Sequence, residues 1–132
     1  MSDLEGMYKS YKGIVEFRLV YISEAHATDD RRPVKYAIEK GISEHTTFGE
    51  RCTVANRLIS DEKLTIPAIA DQMDNKVAEA YDAHPNRVFL IRKDGLLGVA
   101  AGPGPRGWRP GLDATKEWLD QYKKTGKEPE LP

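Results

Sequence analysis

A single cysteine, Cys52, is the only thiol in 132 residues. That excludes an internal disulfide, a Cys-x-x-Cys redox pair within the chain and any thiolate-rich zinc site. Long apolar runs are lacking as well: stretches such as Val88-Phe89-Leu90-Ile91 last a few residues, against the roughly 20 that a membrane-crossing helix needs. Ser2-Asp3-Leu4-Glu5 does not open a signal peptide, so a cytoplasmic address and no membrane partner are expected. Neither sign of charge is in excess. Lys and Arg number 20 and Asp and Glu 21, a formal net charge of −1, which leaves no basic surplus for a phosphate backbone and argues against nucleic-acid partners. Repeats are absent, and low complexity is confined to Gly102-Pro103-Gly104-Pro105 and the polar tail, so solenoid and array architectures are excluded.

What remains is a chain 39% hydrophobic and 31% charged, a balance that suits one soluble domain around a single core. Residues 1–124 are read as that domain and 125–132 as a frayed polar tail. Ser2 with Glu5 forms a capping box ahead of a stripe of Leu4, Met7, Tyr8 and Tyr11 that stops at Gly13, predicting a first helix. Residues 14–22, rich in β-branched and aromatic side chains, predict a strand buried between layers. Residues 23–46 then form a long connection broken by charge and Pro33, long enough to expect a functional role. Thr47 and Glu50 predict a second capped helix with Phe48, Cys52, Ala55 and Ile59 on its inner face. Leu64 to Ala70 predicts a short strand containing Pro67, followed by a helix over 75–83 capped by Asp74. Lys93-Asp94-Gly95 between two apolar runs predicts a hairpin. Pro110 and the stripe Leu112, Thr115, Trp118, Leu119 and Tyr122 predict a closing helix.

The order α-β-(long connection)-α-β-α-β-β-α is similar to the later part of a thioredoxin-like fold, with Ile66-Pro67 at the place of its cis-proline. The run Tyr21-Ile22-Ser23-Glu24-Ala25-His26-Ala27-Thr28-Asp29 sharpens this, since it closely resembles the segment after the second thioredoxin strand in the iodothyronine deiodinase family. His45 with Glu50-Arg51, Ile66-Pro67 before Asp71-Gln72-Met73-Asp74-Asn75, Ala80-Tyr81, the hairpin and the Gly-Pro turn extend the resemblance from Leu4 to Leu119. It implies an α/β, thioredoxin-like fold, incomplete at its N-terminus, with about four strands and flanking helices. It also implies an oxidoreductase relationship: deiodinases remove iodine reductively from phenolic rings with a selenocysteine regenerated by thiols. In the family pattern that nucleophile precedes the helix which opens this sequence, so neither it nor the first core strand is in the chain.

The same resemblance assigns Glu24 and His26 to the active site, His26 as proton donor when the carbon–halogen bond breaks and Glu24 as its orienter. His45 matches a second histidine of substrate contact or proton relay. Each competes with a plainer reading, a solvated loop histidine. Pro67 would shape the substrate pocket, Trp108 could present a ring beside it, and Arg106 could pair with a ligand carboxylate or phenolate; packing and solvation are the alternatives. Asp30-Arg31 stands where the family carries Gly-Trp, which argues against a thyronine substrate. Cys52, on the inner face of its helix, reads as packing rather than as a nucleophile. A metal set of His26, His45, Asp29 and Asp30 lacks a recognised ligand spacing, and neither metal nor cofactor is expected.

The absent strand is expected to lie between strands 14–22 and 65–70, so that either these close directly or another molecule supplies pairing. Three functions compete. The chain is a segment of a deiodinase-like reductase read from an internal Met1, with a thiol reductant as partner; or a noncatalytic relative binding a small aromatic ligand in the sheet-end cleft; or an assembly module that dimerises through an exposed sheet edge. As isolated, the nucleophile-free chain is expected to be inactive or at most weakly active.

Overall fold

The structure, a computed structural model, describes residues 1–23 and 46–131. Its elements are α1 (Ser2–Tyr11), β1 (Leu19–Tyr21), α2 (Phe48–Asp61), β2 (Ala68–Ala70), α3 (Lys76–Tyr81), β3 (Phe89–Ile91), β4 (Leu97–Ala100) and α4 (Trp108–Thr125). The chain groups into two compact units, Met1–Glu5 with Phe17–His84, and Gly6–Glu16 with Pro85–Pro132. None of the described helices is long and apolar enough to cross a membrane.

In the first unit β1 and β2 pair in parallel, Leu19 opposite Ala68 and Tyr21 opposite Ala70. Leu19 N–H donates to Pro67 O at 2.9 Å and Asp71 N–H to Tyr21 O at 2.8 Å, which extends the ladder at both ends. The two strands therefore satisfy one another directly. Of the two arrangements expected, this is the direct closure of the neighbouring strands. Strand β1 is also shorter than the span 14–22: only Leu19–Tyr21 joins the ladder, and residues 14–16 belong to the second unit. Pro67 stands just outside the ladder, where a residue without an N–H costs no strand bond. Its peptide bond is trans; the cis bond among the described residues is Gly104–Pro105, not Ile66–Pro67.

Helix α2 carries the predicted capping box, with Glu50 N–H donating to Thr47 Oγ1 at 3.1 Å and Thr47 N–H to Glu50 Oε2 at 3.3 Å. Its buried face, however, runs through Arg51 and Ala55, while Phe48 is exposed and Cys52 half-buried. The face is thus rotated by about one residue from the apolar stripe, because a long arginine stem packs as a hydrophobe once its head finds acceptors. Glu5 also departs from its expected use. Rather than closing a box on Ser2, its buried carboxylate accepts Thr65 N–H at 2.8 Å and Thr65 Oγ1–H at 2.7 Å. Met1 O supplies the helix start instead, accepting Glu5 N–H at 3.0 Å.

In the second unit β3 and β4 form the predicted antiparallel hairpin, Phe89 opposite Ala100 and Leu90 opposite Val99, with a register shift at Leu90/Ile91. Gly95 takes φ +85° in the turn, the left-handed region that favours glycine, and Leu96 N–H donates to Asp94 Oδ1 at 3.0 Å. Helix α4 packs on the hairpin through Leu112, Thr115 and Leu119, all buried. Tyr11, at the end of α1, is buried and donates its hydroxyl to Asp120. In the tail, Pro129 O accepts from Arg92 Nη1 at 2.6 Å and Glu128 Oε1 from Lys93 N–H at 2.9 Å.

Candidate functional site

The carboxyl ends of parallel strands are where α/β folds present ligand-contacting loops. In the first unit that end is well defined. β1 finishes at Tyr21, and Ile22 and Ser23 carry the chain toward Glu24, while Asp71 leaves β2 on the same side of the ladder. The chain returns at Thr46, whose N–H and hydroxyl bond Glu50 Oε2 at 2.7 and 2.9 Å.

Two buried charges frame this end. Asp71 is 2% exposed, and three main-chain N–H groups converge on its carboxylate: Gln72 at 2.9 Å and Val77 at 3.1 Å on Oδ1, Ala78 at 2.9 Å on Oδ2. It, rather than Asp74, anchors the start of α3. Asp74 meets Lys76, its N–H at 3.3 Å and its ammonium at 3.7 Å, and the boundary residue Asn75 is left-handed with no side-chain cap bond. Arg51, also 2% exposed, donates Nη1 to Asp71 O at 3.1 Å and to Gln72 O at 2.9 Å. So α2, the end of β2 and the start of α3 are tied by charge-assisted bonds, the stronger class of hydrogen bond. Chemically this is a frame. Asp71, enclosed and committed to N–H donors, is not a base that a ligand can reach.

The residues expected at the site are placed as follows. Glu24, His26 and His45 lie outside the described residues. Pro67 is exposed at the amino end of the β1–β2 ladder, the end opposite to the exit toward Glu24. Trp108, half-buried, begins α4, and Arg106 is exposed in the turn before it, both in the second unit. Cys52 sits half-buried in the second turn of α2. Among the described residues no group of three or more His, Cys, Asp or Glu is placed to hold a metal ion. Helical periodicity rests on apolar residues alone, so the sequence does not mark Arg51 as a buried group.

Comparison with known proteins decides the family. The iodothyronine deiodinase family model matches residues 1–123. The chain belongs to the iodothyronine deiodinase family. A thyroxine 5-deiodinase of Gallus gallus is 33% identical over 112 residues, which cover 83% of this chain and 40% of that protein. A type II iodothyronine deiodinase of Mus musculus is 30% identical over 122 residues, 87% of this chain and 43% of that protein. A type I iodothyronine deiodinase of Xenopus laevis is 27% identical over 112 residues, 83% and 42% respectively. The chain spans about two-fifths of the length of these curated relatives. Membership implies a thioredoxin-like fold, with which the mixed α/β elements described above agree.

Proposed function

We propose that this chain carries the proton-relay and framing part of a deiodinase-type reductive site and, by itself, no positioned nucleophile. The observation that carries the reading is Cys52. It is the sole thiol of the sequence and sits half-buried within α2, not at an exposed helix amino terminus of the kind that generates reactive thiolates. The complete reaction of this class consumes an aryl iodide and two thiols and yields the arene, iodide, a proton and a disulfide. Here Glu24 and His26 would manage the proton, with His45 as a further contact, while the attacking selenolate or thiolate comes from outside these 132 residues.

A second reading, a noncatalytic binding or assembly module, draws on exposed apolar groups in the strands: Ile69 at the middle of β2 and Ile91 in β3 are each 53% exposed. Exposed side chains beside short ladders are what an edge-paired dimer would cover.

Iodide release from 2-iodophenol with dithiothreitol tests whether the chain holds a nucleophile of its own. The native chain and Cys52→Ser should both stay at the thiol-only blank. Turnover by the native chain that Cys52→Ser abolishes would overturn the reading, since the nucleophile would then be in hand.

A further inference from the structure

The second unit holds a cleft of about 210 Å³ between residues 14–16, β3 and α4. Its lining is largely apolar and includes Ile14, Val15, Ile91, Trp118 and Tyr122. Those two aromatic residues, one helical turn apart, stack with ring centres 5.7 Å apart and planes 14° from parallel. Two cations also line the cleft, and they differ in how they are engaged. Arg92 is committed: it meets Asp94 at 3.2 Å and Glu128 at 3.4 Å and donates to Pro129 O at 2.6 Å. Lys93 instead engages Tyr122, its ammonium 5.3 Å from the ring centre with the phenol oxygen as hydrogen-bond partner, and Glu128 acts on it at longer range. Two acids line the cleft as well, the exposed Glu16 and Glu128, the latter held by the Arg92 guanidinium and by the Lys93 main-chain N–H at 2.9 Å.

Size limits the occupant. A dry cavity of about 150 Å³ accepts benzene, whereas sites for drug-sized ligands begin near ~300 Å³. The cleft falls between these, enough for one substituted ring and too small for two linked rings. Charge limits it further. At the exposed Lys93 the aromatic contact is weak and solvent-screened, so the ammonium can turn from Tyr122 to a carboxylate.

We propose that this cleft is a binding site for a monocyclic aromatic carboxylate, its ring against Trp118, Tyr122 and Ile91 and its carboxylate on Lys93 Nζ. The assignment is independent of the redox reading. It concerns a different unit of the chain from β1, β2 and α2, and it stands whether or not the protein turns over any substrate. A ligand of about nine non-hydrogen atoms at ordinary ligand efficiency binds with Kd on the order of 1 mM, which sets the measurement.

The test is an NMR titration of the native chain with benzoate, following the indole N–H of Trp118, assigned by its loss in Trp118→Phe. Benzoate should shift that signal saturably. Lys93→Met, an exposed substitution that leaves the apolar walls in place, should weaken binding about fivefold, and benzylamine and 4-phenoxybenzoate should not compete. The amide spectrum of each variant reports that it is folded. The proposal is overturned if benzoate gives no saturable shift up to about ten times the expected Kd. Binding that Lys93→Met leaves unchanged, or equal binding of benzylamine or of the two-ring acid, also overturns it.

Discussion

Asp71→Asn changes one atom and should cost far more than an isosteric swap ordinarily does. In the native chain Oδ1 accepts from Gln72 N–H and Val77 N–H, and Oδ2 accepts from Ala78 N–H at 2.9 Å. Asparagine can keep the first two bonds with its carbonyl oxygen, but its amide nitrogen then points a donor at the Ala78 donor. One charge-assisted bond is lost, worth about 1.5–3 kcal/mol, and a buried N–H is left facing an N–H. The alternative flip satisfies Ala78 and abandons two donors, so it offers no escape. A net destabilisation of about 2–3 kcal/mol follows. In urea, with m about 2 kcal/mol/M, that is a midpoint lower by about 1–1.5 M at unchanged m. Hydrogen exchange supplies the local check, since the Val77 and Ala78 amides should lose protection relative to the hairpin amides of β3 and β4. A variant within about 0.5 kcal/mol of the native chain, with Ala78 exchange unaltered, would refute the view that Asp71 anchors α3.

The Tyr11–Asp120–Lys116 cluster predicts how stability varies with pH. Asp120 is held below the usual carboxylate range, first by its hydrogen bond from Lys116 and then by that from Tyr11, so its contribution is present above the unfolded carboxylate value and is lost as pH falls through the lowered folded value. Tyr11 is raised, chiefly because it donates to Asp120 and then because it is buried, so its contribution is complete below the unfolded value of 10.0 and is lost as pH rises through the raised folded one. Midpoints measured across pH should therefore fall on both flanks, and Asp120→Asn should flatten both; an unchanged profile in that variant would count against the cluster. Gly111→Ala tests packing against propensity. A methyl at this buried α4 position would stand 2.4 Å from Ala101 Cβ and 3.4 Å from Val88 Cβ, so overpacking of about 1–3 kcal/mol should outweigh the roughly 1 kcal/mol that alanine gains in a helix. A lower melting temperature is expected, and a higher one would show that the hairpin yields to the helix.

The elements that could be read from sequence are those whose causes are local. Thr47 with Glu50, Asp94-Gly95 and the stripe Leu112, Thr115, Leu119 each contain their own reason within a few residues, and each appears in the structure as read. The misreadings share a different cause. Glu5 bonds a residue 60 positions away, Arg51 reaches carbonyls 20 and 21 positions away, and Asp71 caps a helix from 6 and 7 positions upstream. Hydrophobic periodicity counts each of these three as a surface residue, and nothing short of the tertiary fold can say otherwise, because a charge is buried only where the chain has already gathered acceptors or donors for it. This asymmetry bears on where function can reside. Removing a partner from any of these charges strands the other at full desolvation cost, so the carboxyl end of the β1–β2 ladder tolerates little change in Arg51 or Asp71. Family members should accordingly keep the acid after β2 and the arginine in the first turn of α2 whatever their substrate.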